Sequence, residues 1–267
     1  MYVRKFVDVD SASLRKPLAI IGLPGIANVG RIAVETLVRL LDAEHIMDFY
    51  SSDFPPRVFV KDGIAHFPKS SVHMYHAAPD EPHDILILTA DFQPTSSGGV
   101  FEYADFFVKE MVNLNVREMY ALAAYEQGYE EFFNSYPAPS RVYISASSEE
   151  LLERVSGHEG AVTTKEGLIN GANGFIPVWA ATMYDMEGAC LLGETLGIIK
   201  FDYRAAKRVL EIMADLAGLT LDFSVFDDNV SQVVQFIEWA RSEIAQKGAY
   251  FQGSESTDFK GSDRYIG

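Results

Sequence analysis

Leu18-Ala-Ile-Ile-Gly-Leu-Pro-Gly-Ile-Ala-Asn-Val-Gly30 is the stretch that decides the fold of this 267-residue chain. Its apolar first half predicts a strand at 18–22 that is buried on both faces. A glycine turn follows at 23–25, and an amphipathic helix is predicted over about 25–41. Free backbone N–H groups at such a turn can hold an anion, but the same turn can simply join a buried strand to a helix. The sequence leaves both interpretations open.

Outward from this unit, strands and helices alternate along the chain. Strands are predicted at 2–8, 72–76, 83–91, 116–123, 141–147 and 188–193. Helices are predicted near 100–114, 151–155, 175–185, 202–216 and 223–245. This alternation indicates an α/β fold of three layers, with a mostly parallel sheet and helices on both faces. We predict one domain over 1–245, followed by a polar C-terminal tail over 246–267.

A β-hairpin insertion is predicted near 57–77, with its clearest hairpin over 58–67 and a third antiparallel strand at 72–76. Asp62-Gly63 stands between two strand-like runs, and this pair favours the positive φ angles of a type I′ turn.

Composition narrows the class of protein. Hydrophobic residues make up 48% of the chain, and the formal net charge is -16. This acidity argues against nonspecific binding to nucleic acid or to anionic membranes. The chain contains no apolar run of about 20 residues and no apolar segment typical of a signal peptide near Met1, so the sequence predicts a cytoplasmic protein. Cys190 is the only cysteine and is predicted to be a buried, inert thiol.

Several catalytic motifs are missing. Gly25 and Gly30 have the glycine spacing of a P-loop, but Arg31-Ile32 replaces the Lys-Ser/Thr pair that reaches the phosphates and Mg²⁺. Neither a dinucleotide fingerprint nor a Gly-x-Ser-x-Gly nucleophile elbow is present. His73 and His76 are three apart on a predicted strand, so they face opposite sides and form no metal site. We therefore predict no catalytic residues, no metal and no cofactor.

Polar residues that follow the predicted strands offer one candidate binding crevice. Because the carboxyl ends of parallel strands meet at one edge of a sheet, Gly25, Asn28, Asp91 and Glu194 are predicted to line it together. The alternative is that such residues cap helices and tie loops.

A second candidate is the stretch Gly167-Leu-Ile-Asn-Gly-Ala-Asn-Gly174, in which Asn170 and Asn173 stand among three glycines. It can form an anion-binding nest of N–H groups, or a tight crossover where two backbones touch, with Asn173 as a helix N-cap.

The last predicted helix carries an apolar seam with spacings of three and four. The seam consists of Phe223, Phe226, Val230, Val233, Ile237, Ala240 and Ile244. A period of 3.5 is typical of a coiled coil, which makes the seam a candidate oligomer or partner surface. An ordinary helix packed on its own domain is the alternative, and the apolar residues beside the seam favour it.

Four motifs together resemble the proteasome assembly chaperone 2 family in its archaeal form. They are 22–30, 167–174, Gly188-Ala-Cys-Leu-Leu-Gly-Glu-Thr195 and Asp202-Tyr-Arg-Ala-Ala-Lys-Arg-Val-Leu210. The resemblance implies a fold like that of purine nucleoside phosphorylases and homo-oligomers, pentamers among them. It also implies binding to 20S proteasome α-subunits or to a paralogous assembly factor. Proteins of this kind have also carried an ATP-grasp label, for which these residues give no support.

The C-terminus departs from one feature of that family. Some members dock through a final hydrophobic-Tyr-X motif, whereas this sequence ends Asp263-Arg-Tyr-Ile-Gly267, with Tyr265 third from the end. The sequence thus predicts a non-enzymatic oligomeric chaperone or adaptor whose docking does not use that motif. The alternative is a binder of nucleosides or phosphate that uses the crevice.

Overall fold

The computed structural model describes the backbone of residues 1–251 and 265–266, and the side chains of residues 1–244. A nine-stranded sheet forms its centre, in the order β1-β3-β6-β7-β2-β8-β12-β9-β10. The strands of this sheet are β1 (Tyr2–Lys5), β2 (Leu18–Gly22), β3 (Glu44–Tyr50), β6 (Ser70–Tyr75), β7 (Ile85–Ala90), β8 (Glu118–Glu126), β9 (Val142–Ala146), β10 (Ala161–Thr163) and β12 (Glu187–Thr195). Two small sheets pair β4 (Phe59–Lys61) with β5 (Ile64–His66), and β11 (Leu168–Ile169) with β13 (Tyr265–Ile266).

The sheet is mixed, so the prediction of a mostly parallel sheet was wrong. Its centre, β7-β2-β8-β12, is parallel throughout. Its flanks are not, because β1, β3, β6 and β7 pair antiparallel in succession, and β9 runs antiparallel to β12. The parallel centre places the ends of four strands at one edge, whereas the antiparallel flanks widen the sheet on either side.

Helices cover both faces of the sheet, which gives the three layers that the sequence predicted. They are α1 (Val29–Leu40), α2 (Ser97–Asn113), α3 (Tyr129–Ser135), α4 (Glu149–Ser156), α5 (Ala172–Tyr184), α6 (Tyr203–Leu216) and α7 (Asp227–Phe251). One buried core lies between the sheet and α1, α6 and the start of α7. A second lies between the opposite sheet face and α2 and α5.

The strand, turn and helix at 18–40 meet at glycines. All five residues of β2 are buried. A Cβ atom at Gly22 would lie 2.2 Å from the carbonyl oxygen of Gly30, and one at Gly30 would lie 1.9 Å from that of Leu122 on β8. These two positions therefore lack a side chain because backbones touch there. The helix begins at Val29 rather than near residue 25, because Ala27 and Asn28 have positive φ angles and form a 3₁₀ turn.

The predicted hairpin insertion is present as β4 and β5. Asp62 and Gly63 both have positive φ, as a type I′ turn requires. The strand predicted at 72–76 belongs instead to the large sheet, where β6 joins β3 to β7.

The apolar seam lies mostly against the protein's own core. Phe226, Val233, Ile237 and Ala240 are buried, and Phe223 and Val230 are partly buried beside them, whereas Ile244 is exposed. This packing agrees with the alternative of an ordinary helix. Whether any of the seam also meets a partner stays a prediction.

The boundary between domain and tail stays a prediction, but the last helix is longer than predicted. Helix α7 continues to Phe251, so the predicted boundary at 245 falls inside it. Of the predicted tail, residues 252–264 and 267 lie outside the described residues.

Candidate functional site

The carboxyl edge of the parallel strands carries the predicted crevice residues, and most of them are already bound within the protein. Glu194, at the end of β12, is buried and forms an ion pair with Arg141. This hydrogen bond to Glu194 raises the pKa of the Arg141 guanidinium. Ser140 also donates to the Glu194 backbone carbonyl at 2.9 Å. Glu194 thus holds the start of β9 against β12.

Asp91, Asn28 and Gly25 follow the neighbouring strands β7 and β2. The Asp91 carboxylate accepts a hydrogen bond from the Lys69 backbone N–H at 3.0 Å. The Asn28 amide donates to the Lys200 carbonyl at 3.2 Å, and Gly25 is exposed in an extended conformation. Asp91 and Asn28 tie loops together through these contacts, and an anion-binding role for the three residues stays a prediction.

Asn173 joins the glycine cluster to the turn after β2. Its side-chain oxygen accepts from the Leu23 N–H at 2.9 Å, and its amide donates to the Leu23 carbonyl at 3.1 Å. It lies inside α5, and Gly171 occupies the N-cap position instead, so the prediction of Asn173 as N-cap was wrong. Asn170 is exposed. A Cβ at Gly174 would lie 2.2 Å from the side-chain Cγ2 of Ile169, five residues earlier, so a crossover where two backbones touch stays a prediction.

Gln93 adds a second link between the same loops. Its amide nitrogen donates to the Pro24 carbonyl, and its oxygen accepts from the Ala172 N–H at 2.7 Å. Three loops are therefore fixed to one another at the carboxyl edge: the turn after β2, the loop after β7, and the start of α5.

A cleft of about 630 Å³ opens at the same edge, beyond β8. This carboxyl-edge cleft is lined by residues of β8, α3, β9 and β10 and of the loops beside them: Tyr125, Gln127, Glu131, Asn134, Ser135, Arg141, Tyr143, Val162, Thr163, Thr164, Lys165 and Glu166. The rings of Tyr125 and Tyr143 stack with centroids 4.0 Å apart, and burial raises the pKa of Tyr143. Gly25, Asn28, Asp91 and Glu194 are not among the lining residues, so they do not share this cleft. No local motif predicts this cleft, because its walls come from β8, β9 and β10, and a single sequence does not reveal how these strands pair.

An apolar patch on the outer face of α2 and α5 was also missed. This aromatic patch consists of Phe101, Phe175, Val178, Trp179 and Met183. Phe101, Val178 and Met183 are 48%, 54% and 56% exposed. Beneath it, Asp105 accepts hydrogen bonds from Trp179 Nε1 at 3.3 Å and from the Tyr184 hydroxyl. Hydrogen bonds from Lys109 and Tyr184 hold the pKa of Asp105 below its ordinary value, so a charged acid anchors the rings.

Other candidate chemistry within the described residues is limited. Cys190 is buried, and burial raises the pKa of its thiol to about 12, as expected for an inert cysteine. No group of three or more His, Cys, Asp or Glu side chains in this part of the chain is arranged to hold a metal ion. Among the described helices, none combines the length and apolar character that crossing a bilayer requires.

A sequence model describing the PAC2 family matches residues 19–238, a range that includes every strand of the large sheet except β1, both helical layers and the carboxyl edge. The chain belongs to the PAC2 family. This PAC2 protein is 31% identical over 267 residues to the uncharacterized protein MJ1210 of Methanocaldococcus jannaschii, an alignment that covers 99% of this chain and 96% of the relative.

Solved structures of archaeal proteins share the fold. Pyrococcus furiosus PbaB, described as an archaeal proteasome activator, matches with a TM-score of 0.80 and 25% identity, over 90% of this chain and 98% of PbaB. Pyrococcus furiosus PbaA, described as an archaeal homolog of proteasome-assembly chaperone, matches with a TM-score of 0.69 and 23% identity, over 94% of this chain and 96% of PbaA. The PAC2 assignment and these neighbours agree with the family that the four sequence motifs indicated.

Proposed function

We propose that this PAC2 protein is a non-enzymatic, cytoplasmic binding protein that assembles with copies of itself and acts on proteasome α-subunits or their assembly intermediates. The main support for the proposal is the likeness to PbaB, which has 25% sequence identity and covers 90% of this chain and 98% of PbaB. An inserted domain or a missing helical layer would weaken the transfer of function from PbaB to this chain. The high coverage of both chains argues against either difference.

The contacts at the carboxyl edge support a role without catalysis. Glu194, Asp91, Asn28 and Asn173 each satisfy a partner in their own chain, and such engaged groups are poor candidates for proton transfer. The carboxyl edge of the sheet serves instead to hold the neighbouring loops in fixed positions.

The aromatic patch is the surface that we assign to self-association. Aromatic residues and Met are enriched at the centres of protein interfaces, and exposed apolar patches on soluble proteins commonly mark binding sites. With a net charge of -16, two copies repel one another at long range, so an interface between them needs apolar contact with few acids at its centre. The patch residues Phe101, Phe175, Val178, Trp179 and Met183 are all uncharged.

The proteasome link is tested by binding to purified archaeal 20S α-subunits. We expect the full-length chain to retain α-subunits in a pull-down at low and at physiological salt, and to retain no β-subunits alone. Absence of α-subunit binding in both salts would refute the link. Light scattering of the free chain tests self-association separately, because a strict monomer would refute only that part.

A binder of nucleosides or phosphate remains the second candidate, and the carboxyl-edge cleft favours it. Stacked Tyr125 and Tyr143 offer an aromatic wall for a base, and Lys165 lines the cleft with a positive charge. The likeness to the purine nucleoside phosphorylase fold belongs to this candidate and stays a prediction. Adenosine, inosine and AMP at millimolar concentration should raise the melting temperature of the native chain, and less so for Lys165→Gln. Unchanged melting temperatures with all three would eliminate this candidate.

A further inference from the structure

Strand β1 lies at one end of the large sheet, and its outer side has no strand partner among the described residues. All four residues of the strand, Tyr2–Lys5, are exposed. Just after it, the Phe6 N–H donates to the Ile46 carbonyl at 2.9 Å. Because the residues that bond to the partner strand alternate along an antiparallel ladder, the N–H and C=O groups of Val3 and Lys5 point away from β3. Such groups can pair with an added strand.

An apolar groove of about 730 Å³ adjoins the start of β1. Tyr2 and Tyr50, which are paired across β1 and β3, line this β1 groove together with Phe54, Val58, Phe67 and three prolines. Tyr2 and Phe67 are 73% and 68% exposed, so this apolar surface is open to solvent. When a segment pairs with an exposed sheet edge, neighbouring pockets accept its alternate side chains. The β1 groove is placed to accept one of them.

The unpaired charges beside β1 are positive, although the chain as a whole carries a net charge of -16. Of the described residues that line the β1 groove, only Arg57 is charged. Arg4 lies on the same sheet face as Tyr2, because alternate residues of a strand share a face. Lys5 is paired with Glu110 at 2.7 Å, whereas Arg4 and Arg57 lie over aromatic rings and form no ion pair with a described carboxylate. An acidic side chain is therefore the complement of this surface.

We propose that β1 and the β1 groove bind an extended segment of a partner protein, which adds an antiparallel strand to the sheet and carries an acidic side chain between two apolar ones. Tyr2, Arg4 and Phe6 alternate along one face, so the matching segment has the pattern Phe-x-Glu-x-Phe. Its acid lies beside Arg4, and its apolar side chains lie beside the two rings. The x residues pair with the free backbone groups of Val3 and Lys5. This surface shares no residue with the aromatic patch on α2 and α5.

The peptide acetyl-Ser-Phe-Thr-Glu-Thr-Phe-Ser-amide is the probe, because it has this pattern and its threonines favour an extended backbone. In a nuclear magnetic resonance titration of the full-length chain, we expect a dissociation constant below about 1 mM and shifts of the Val3 and Lys5 amide signals. Methylating the backbone nitrogens of both threonines should weaken binding about tenfold or more, because it removes the donors to β1 and keeps every side chain. Replacing the glutamate of the peptide with lysine should weaken binding about threefold or more.

Two variants of the chain test the same contacts from the other side. Val3→Pro removes an N–H that faces the open edge and breaks no bond to β3, so the chain should stay folded and bind the peptide about fivefold or more weakly. Arg4→Gln should weaken binding about twofold to fivefold, as expected for an exposed ion pair. Arg117→Gln and Trp239→Gln are the controls, because they change exposed side chains outside this surface and should bind like the native chain.

Absence of binding at about 1 mM peptide would overturn the proposal. Equal affinity for the parent and the N-methylated peptide would also overturn it, because the segment would then add no strand, and so would native affinity in Val3→Pro. A lower assembly mass for Val3→Pro in light scattering would show that a second copy covers β1, which overturns the assignment to a partner protein. These outcomes are independent of α-subunit binding, so a failure here is distinguishable from a failure of the proposed function.

Discussion

Gly30 and Gly98 occupy the second position of their helices, α1 and α2, but in opposite surroundings. A Cβ at Gly30 would collide with the Leu122 carbonyl oxygen at 1.9 Å, whereas a Cβ at Gly98 would meet nothing within 4 Å. Gly30→Ala must push α1 away from β8, which should lower the free energy of unfolding by about 1–3 kcal/mol or more. Gly98→Ala should be neutral or stabilising by up to about 1 kcal/mol. Urea denaturation measures both, and equal effects would contradict this account of the glycine.

His73 should make stability depend on pH between about 6.5 and about 4. Burial, and then the nearby charge of His45, lower the pKa of His73 to about 4 in the folded chain. The charge of Asp48 opposes this lowering of the pKa, and the charge of Lys69 adds to it. Glu35, Arg39 and Tyr203 also face His73, because all four residues line one cavity beside α1. The unfolded chain therefore binds this proton first, so stability is full above pH 6.5 and falls as the pH drops towards 4.

The expected loss over that range is on the order of 1–3 kcal/mol, because each unit of pKa shift corresponds to about 1.4 kcal/mol and His73 is only partly buried. Urea denaturation of native and His73→Asn protein at pH 7.5, 6, 5 and 4 isolates the contribution. The difference between the two proteins should shrink steadily with falling pH, and a constant difference would contradict the assignment.

At the scale of elements, apolar patterns and turn residues in the sequence were sufficient to predict the position of most strands and helices. The apolar run at 18–22, the Asp62-Gly63 turn and the Asp202 cap, which accepts from the Ala205 N–H at 3.0 Å, all lie where the sequence predicted them. Strand β3 was missed because a bulge between His45 and Met47 breaks its alternation. It also carries the buried acid Asp48, whose charge is compensated by residues distant in sequence.

Helix α7 offers a prediction that separates the two interpretations of the apolar seam. Ile237 is fully buried in the protein's own core, whereas Trp239, two residues on, is 57% exposed. Ile237→Ala should lower the free energy of unfolding by about 2–5 kcal/mol without changing the mass of the folded assembly. Trp239→Gln is the control and should change stability little. A lower assembly mass for folded Ile237→Ala in light scattering would instead place the seam at an interface.

At the scale of the whole molecule, the surface that we assign to self-association can be tested without disturbing the core. Phe101→Gln combined with Met183→Gln removes two exposed members of the aromatic patch and should reduce the assembly to smaller species in light scattering. The matched control is Val60→Gln with Ile64→Gln on the hairpin, where the two side chains are 69% and 71% exposed. Equal masses for both double variants would exclude the patch as the interface.

The candidate sites were harder to predict than the fold, for a reason that Arg141, Tyr2 and Phe101 illustrate. Arg141 faces its cleft because β9 turns antiparallel beside β12, and Tyr2 lines its groove with Tyr50 only once β1 has paired with β3. Phe101 becomes part of a patch when α2 and α5 pack side by side. Each depends on which elements become neighbours, and a single sequence carries little information about that.

The hydrogen bonds of Asn173 and Gln93 have a consequence for how quickly another molecule can bind near them. They hold three loops in one arrangement before any encounter, so docking there requires no search through loop conformations and loses little chain entropy. Association at that edge should be governed by diffusion and by the long-range field of an acidic protein. The association rate constant should therefore change strongly with ionic strength. It should show little of the temperature dependence that a rearrangement of the loops would add.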